Sequence, residues 1–537
     1  MNASREVERT TPETNARPDV LSRRANILLF GLVVTLFVAV RLRGLTAACL
    51  WFDEIFSVHA ARHNWSQILS FAAADLIHPP LFYVLLKVWI AAGGESVTWL
   101  RLFPALTSIA AIVPFCLVCR ELRLNAGERN LSLLLLAISG FLIKYAQEVR
   151  MYSLLFFFSL CSLWLFLKFL NGGALSKRIL MALTASNLVL VYTHYSGWVA
   201  VAVQCLAILL WQRHRWRSFL ASAATLVVIY IPWLYELKTA AEPGKGLAQN
   251  IGWVRRPGLP DIAQAITTLG RPFVFSQSST DSLYDPLNTT LVILLLVVPL
   301  FVLGWYSFMA DSAGEPREVE IRRVLFLLAF APALFIFAFS WILPQSIWGT
   351  RHLIISAGPY CILAAIALKR LRPYWIRVTV FLLLACWALL AGTFQLLSPV
   401  PGFIWCAWEP MAHQLMQVDP GSTKPLQVYA FEDLVAYHLW YGLDASRNPG
   451  TRVAVIKGVA GVTEDTAYFL PRKFGEIAVL EASAPLGDDF WIAFRARAGE
   501  QTPGALDFFT RRGYHADPLL KTTINGQEAF LVRMHRE

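Results

Sequence analysis

Long apolar runs separated by short clusters of charge fill the first three quarters of the chain. Runs near 26–45, 102–119, 130–146, 152–170, 179–194, 197–212, 218–236, 288–309, 324–342, 353–368 and 378–398 approach the length a helix needs to cross a bilayer, about 20 residues. They predict about eleven transmembrane helices. The stretch HPPLFYVLLKVWIAAGG at 78–94 differs: two prolines open it, Lys87 interrupts it, and it is short for a crossing. It reads as an interfacial helix, and charge supports that reading. With this segment at the interface, the connections carrying Arg120/Arg123/Arg129, Lys168/Lys177/Arg178, Arg213/Arg215/Arg217, Arg317/Arg322/Arg323 and Lys369/Arg370/Arg372/Arg377 share one side with Arg23-Arg24. That is the arrangement the positive-inside rule demands. The loop 46–101, the turns 147–151, 195–196 and 343–352, the loop 237–287 and everything after 399 then face outward.

Beyond 399 the period changes. LQVYAF (426–431), RVAVIKGV (452–459), EIAVLEA (476–482), DFWIAFRAR (489–497) and EAFLVRM (528–534) alternate as strands do, with helical patterns in FEDLVAYHLWYG and ALDFFTRRG. The expected fold is an α-helical polytopic membrane protein with outer interfacial helices and a small C-terminal α/β domain. Its expected units are an N-terminal arm 1–25, a transmembrane domain 26–398 and an extracytoplasmic domain 399–537. In a bacterium this places the protein in the inner membrane, with the N-terminus cytoplasmic and the tail periplasmic or extracellular.

Composition sharpens the picture. The chain is 56% hydrophobic and only 15% charged, with mean hydropathy +0.51, which points to lipid as the solvent. The formal charge of +11 follows from the positive-inside bias and implies no nucleic-acid partner. The eight cysteines form no disulfide framework on this reading. Most lie in apolar runs, the tail holds Cys406 alone, and none has zinc-site spacing. The charged leader before NILLFGLVVTLFVAV and the TAAC at 46–49 imitate a signal or lipoprotein segment, but the run is long enough to remain as an anchor.

Candidate chemistry lies in LWFDEIFSVH, 50–59, where Asp53 and Glu54 follow the first span. Acids in a first helical turn interact well with the helix dipole, and capping alone accounts for one of them. It does not account for the other ionisable groups expected at the same outer level. These are His78, Glu148 and Arg150 with Tyr152 in IKYAQEVRMYS, His194 and Tyr195 in YTHYSG, and Arg351 and His352 in SIWGTRHL. Each alone is an ordinary interface residue. Together, at membrane depth and on one face, they mark a site. A lipid-linked phosphosugar places its reacting carbon at this level. Moving the sugar to a hydroxyl needs a carboxylate base, and the departing phosphate needs fixed cations. Asp53 suits the base and Arg150 and Arg351 the cations, while Glu54 is placed to orient Asp53 or bind an ion. Two carboxylates are too few ligands to require a metal, so a divalent cation at Asp53/Glu54 is left open and no cofactor is required.

A first span followed by WFDE, HPPLFYVLL and YAQEVRMYSLL, with RHLIISAGPYCILAAIAL later, resembles the GT-C superfamily of polyprenyl-phosphate-sugar-dependent glycosyltransferases. Within it the chain looks nearest the branch of protein O-mannosyltransferases and lipid-A- and core-modifying transferases. The resemblance covers roughly 26–230. It implies a GT-C fold of 11–13 spans, an inverting displacement with Asp53 as base and Glu54 its acidic neighbour, and Glu148 and Arg150 holding acceptor or donor. It also implies outer amphipathic helices at 53–64 and 78–93. The partners it implies are a polyprenyl-phosphate sugar, the bilayer, and a glycolipid, glycan or protein acceptor. One departure stands out. The aminoarabinose branch has a Glu-Lys pair before Pro-Pro, and here Ile77-His78 stands instead. Two other classes compete: a transporter or flippase for an envelope precursor, and a structural assembly subunit. Transporters, however, place charges near the midplane within paired repeats, and neither is found.

Overall fold

The computed structural model describes residues 22–536 apart from 173–175, 241–250, 253, 274–285, 309–315, 398–403, 419–425, 445–449, 460–467, 473, 498, 500–503 and 525. Nearly all of the expected arm 1–25, and parts of the loop 237–287, lie outside these residues.

Eight described helices are long and apolar enough to cross a membrane: Arg23–Leu42, Val97–Glu121, Tyr152–Asn171, Arg213–Ala240, Pro286–Phe308, Arg317–Ile342, Thr350–Arg370 and Tyr374–Leu397. The other three expected spans are helical but short or broken. Two are Lys177–Thr193 and Ser196–Trp211, and the third is split into Ala126–Ile138 and Gly140–Ala146. Leu28, Phe301, Leu389, Leu390 and Leu397 are exposed on the outside of the bundle, as lipid-facing residues are. Between helices, Ser162, Asn187 and Gln204 close a buried triangle of hydrogen bonds at 2.5–2.9 Å, polar glue of the kind that registers helices where no water competes.

The broken helix has an identifiable cause. Ser139 leaves helical geometry, and Pro272 bridges to it. The Gly140 N–H donates to Arg271 O at 3.0 Å, and the Phe273 N–H donates to Ile138 O at 2.6 Å. On the other side the fully buried Arg41 donates to the carbonyls of Leu136 (3.1 Å) and Ala137 (3.3 Å) and to Ser108 Oγ (2.9 Å). A cation at a helix C-terminus answers its free carbonyls, and non-helical backbone at membrane depth persists only where such partners exist.

Short helices cover one end of the bundle. We label them α1 (Phe52–Arg62), α2 (Ile68–Asp75) and α3 (Leu81–Gly93). The first and third match expected outer helices. The second, preceding the prolines, was not expected. The presumed loop 237–287 also contains a helix, Leu259–Gly270. The opposite end gathers basic connections: Arg215 donates to Phe169 O and Gly172 O, and Arg317 to Asn171 O at 2.8 Å.

The tail builds one mixed sheet from β1 (Leu426–Ala430), β2 (Thr451–Lys457), β3 (Ala478–Glu481), β4 (Asp489–Arg497), β5 (His515–Ala516), β6 (Leu520–Ile524) and β7 (Gln527–His535). Its order is β3-β2-β1-β4-β7-β5, with β6 also on β7. The pairs among β3, β2, β1 and β4 are parallel, and β7 runs antiparallel to β4. The short, poorly alternating β5 and β6 escaped the pattern reading. A helix, α4 (Asp433–Gly442), lies against α1. There the Tyr437 hydroxyl meets His59 Nδ1 at 2.8 Å, and the Phe52 ring packs 5.0 Å from Tyr437 and 5.1 Å from Tyr468.

The cysteine reading needs correction. Cys49 and Cys406 form a disulfide across a sequence separation of 357 residues. It ties the segment just before α1 to the start of the tail. Neither spacing nor parity of cysteines reveals such a pair, because only the fold brings the two ends together. Removing it with Cys49→Ser/Cys406→Ser is expected to cost stability on the order of 2–5 kcal/mol. A lowered melting temperature in detergent, matched by reducing the wild type, is the check.

Candidate active site

Glu54 is held first. Its carboxylate is buried, with 1% of the side chain exposed. It accepts Arg101 Nε (3.0 Å) on Oε1 and an Arg101 terminal nitrogen (2.7 Å) on Oε2. The Val149 N–H donates to Oε1 at 2.9 Å and the Trp51 N–H to Oε2 at 3.2 Å. Arg101 spends its other donors on the carbonyls of Leu45, Ala48 and Cys49 at 2.7–2.9 Å. The pair therefore welds the pre-helix loop, the start of α1 and the turn at 149 into one piece. Glu54 has no oxygen left for an ion, so a divalent cation shared by Asp53 and Glu54 does not fit these residues. Among the described residues no group of three or more His, Cys, Asp or Glu is arranged for a metal.

One residue earlier, Asp53 turns the other way. Its side chain is 27% exposed, and Oδ2 lies 3.7 Å from terminal nitrogens of both Arg150 and Arg351. These are charge contacts longer than hydrogen bonds. Arg150 is fixed by other means: it donates to Asp53 O (3.1 Å) and Ser57 Oγ (3.3 Å), and its second terminal nitrogen sits 3.4 and 3.3 Å from the two nitrogens of His78. Burial works against the Arg150 cation, but Asp53, then Tyr83, Tyr152 and Glu148, outweigh it and raise its pKa. Burial, followed by Arg150 and His194, holds His78 well below the usual histidine range, so its ring is neutral at pH 7.

Glu148 lies in the same turn, and its Oε2 is buried with no hydrogen-bond partner. Burial pushes its pKa up to about 6, opposed by Lys144 and reinforced by Glu54 and Asp53. The folded protein thus keeps a proton that the unfolded chain releases above about 4.5. Ionising this carboxyl costs stability as pH rises from about 4.5 to 6, by roughly 2 kcal/mol at 1.36 kcal/mol per pKa unit. Glu148→Gln is accordingly expected to raise the melting temperature at pH 8 and to change it little at pH 4.5, as thermal unfolding at the two pH values would show.

All these groups line one cavity of about 2320 Å3. Its charged end holds Asp53, Asp75, His78, Glu148, Arg150 and Arg351, while Leu36, Leu134, Leu384 and Ala388 are among the apolar residues of its flank. The tail contributes Tyr468, Leu470 and Arg472 to the wall, and Asp433 Oδ2 accepts the Leu470 N–H at 3.0 Å to hold that segment. Four expected residues do not line it. Tyr152, His194 and His352 stand behind: the His194 ring lies 5.4 Å from His78, 6.1 Å from Tyr152 and 5.1 Å from His352. The Ser196 N–H donates to His194 Nδ1 at 3.0 Å, which places the ring proton on Nε2. Tyr195 precedes the helix Ser196–Trp211 and packs against the buried core. Sequence reasoning missed Arg101, Asp75, Lys144 and Arg472. Arg101 and Lys144 were legible as charges beside apolar runs, whereas Arg472 had no signal.

Fold and site together define a multi-pass helical membrane protein with a charged chamber at one end of the bundle, roofed by a small α/β domain. The chain matches no protein-family model, and no curated protein is similar to it in sequence. Solved structures are similar. ArnT from Cupriavidus metallidurans, solved bound to undecaprenyl phosphate and in the apo state, superposes with a TM-score of 0.58 at 14% identity. That match covers 95% of this chain and 98% of that one. Looser likenesses are to the Archaeoglobus fulgidus oligosaccharyltransferase (TM-score 0.48, 14% identity, 78% of this chain and 63% of that one) and to the S. cerevisiae Pmt1-Pmt2 O-mannosyltransferase complex (0.33, 15%, 44% and 36%).

Proposed function

We propose that the protein is a membrane glycosyltransferase moving a sugar from a polyprenyl-phosphate-linked donor to an acceptor hydroxyl. The observation that carries this is Asp53 Oδ2 lying 3.7 Å from both Arg150 and Arg351 at the charged end of a largely apolar cavity. The apolar flank suits a polyprenyl chain, and the two guanidiniums suit its phosphate. Because Asp53 is held only loosely, an arriving phosphate takes over both cations and leaves the carboxylate free to act. Asp53 then accepts the acceptor's hydroxyl proton as that oxygen bonds to the anomeric carbon. The bond from carbon to phosphate oxygen breaks with inversion, its electrons pass to the phosphate, and polyprenyl phosphate departs. The guanidiniums stabilise the charge that develops there. His78 and Glu148 border donor and acceptor, while Tyr152, His194 and His352 support His78 from behind.

The same reading puts this end of the bundle outside a bacterial inner membrane. The basic connections lie at the other end, and the Cys49–Cys406 disulfide suits an oxidising compartment. The test is transfer by the purified protein from a panel of undecaprenyl-phosphate sugars, with mass spectrometry of envelope glycolipids from cells with and without it. Transfer from at least one donor, and loss of one glycosylated species from the envelope, are expected. No transfer from any donor, combined with movement of a labelled lipid across vesicles, would replace this reading with the transporter.

A further inference from the structure

Asp75 lies outside every motif considered so far. It ends α2, and Leu76 follows in the left-handed region at φ 63. That reverses the chain, so Ile77 and His78 return along the cavity wall and Asp75 stays on it. Asp75 Oδ2 lies 3.6 Å from His78 Nδ1, and its side chain is 16% exposed. The contacts then form a row. Arg351 faces Asp53, Asp53 faces Arg150, Arg150 touches His78, and His78 faces Asp75. Two carboxylates thus bracket one guanidinium–imidazole unit.

We propose that Asp75 is a positioning residue of the transfer reaction: its carboxylate orients His78 and, through it, Arg150 toward the donor phosphate. This rests on the glycosyltransferase reading. The charged groups facing Asp75 are Arg150 from the turn after the broken helix, Asp53 from α1 and Arg472 from the tail. The titratable Tyr83 of α3, Tyr195 and Tyr437 of α4 also feel it. Burial, opposed by Arg150, pushes the Asp75 carboxyl up to about 7. Protonated below that, Asp75 is neutral and holds His78 weakly. Ionised above it, Asp75 fixes the imidazole and, through it, Arg150. Turnover should therefore rise with pH through the neutral range, separately from a lower limb near 6 set by Glu148.

The experiment is the pH profile of transfer by the purified full-length protein from an undecaprenyl-phosphate sugar. In Asp75→Asn the limb near 7 should vanish, and kcat at pH 8 should fall roughly tenfold with donor KM little changed. Asp75→Glu should restore the limb, displaced upward, because an ordinary glutamate titrates about 0.4 units above aspartate. The Glu variant also serves if the Asn variant does not fold. A wild type that transfers, with the limb near 7 unchanged in both variants, overturns the role of Asp75 alone. A wild type that transfers from no donor overturns the functional reading and this one with it.

Discussion

On the proposed reading, Asp53→Asn is expected to give a folded protein that keeps donor binding but turns over about 10²–10⁴-fold more slowly, the usual worth of a positioned base. Asparagine keeps the shape and removes the charge. The Asp53 side chain is partly open to the cavity and, among the described residues, makes two 3.7 Å charge contacts, so little packing depends on it. Freed of that carboxylate, Arg150 and Arg351 should bind a phosphate as well as before or better. The expected signature is thus a fall in kcat with donor affinity kept or improved. Undiminished turnover in the variant would take Asp53 out of the chemistry. A parallel loss of binding and melting temperature would make it a structural residue.

The second large effect concerns stability. Arg101→Met leaves the Glu54 carboxylate buried with two backbone N–H groups and no cation. Breaking one side of such a pair typically costs about 3–5 kcal/mol, because the remaining charge has lost its compensation. The loop from Leu45 to Cys49 also loses its anchor, and Asp53 is next in line. The single variant should give little monodisperse protein in detergent and a sharply lower melting temperature. Glu54→Gln/Arg101→Met should recover part of that stability, since no charge is left stranded, although the amide has one oxygen to accept from the two N–H groups. Activity should stay low in the double variant, because the loop that aims Asp53 is no longer tied at Leu45, Ala48 and Cys49. If the double variant is no more stable than Arg101→Met, the stranded charge is not the cause.

Much of the architecture was readable because hydrophobic pattern reports a segment's solvent. Run length marked the spans, the prolines of HPPLFY opened a separate short helix, and the period-2 stretches after 426 became strands of the sheet. The same logic brought Asp53, Arg150 and Arg351 to one end of the bundle, where the structure also places them. It made Asp53 the base and Glu54 its orienter or an ion ligand, however, with no geometry to tell the two carboxylates apart. Adjacent residues on a helix point about 100° apart, and only the packed structure shows which of them meets Arg101 and which meets the cavity.

Asp75 was passed over for a similar reason. In FAAAD it belongs to no motif, and its place beside His78 depends on the reversal at Leu76. Cys49 and Cys406 are the extreme case, at a sequence separation of 357 and with no local trace of their pairing. By itself, then, the sequence determined which segments are apolar enough to cross a membrane, that a small α/β unit follows them, and which ionisable residues stand at their ends. Tertiary structure alone decided which carboxylate is saturated, which stays free, and that the tail closes over the chamber. The physical reason is range: desolvation acts on each segment through its own composition, whereas ion pairing and disulfide bonding act between atoms that only the completed fold brings within a few ångströms.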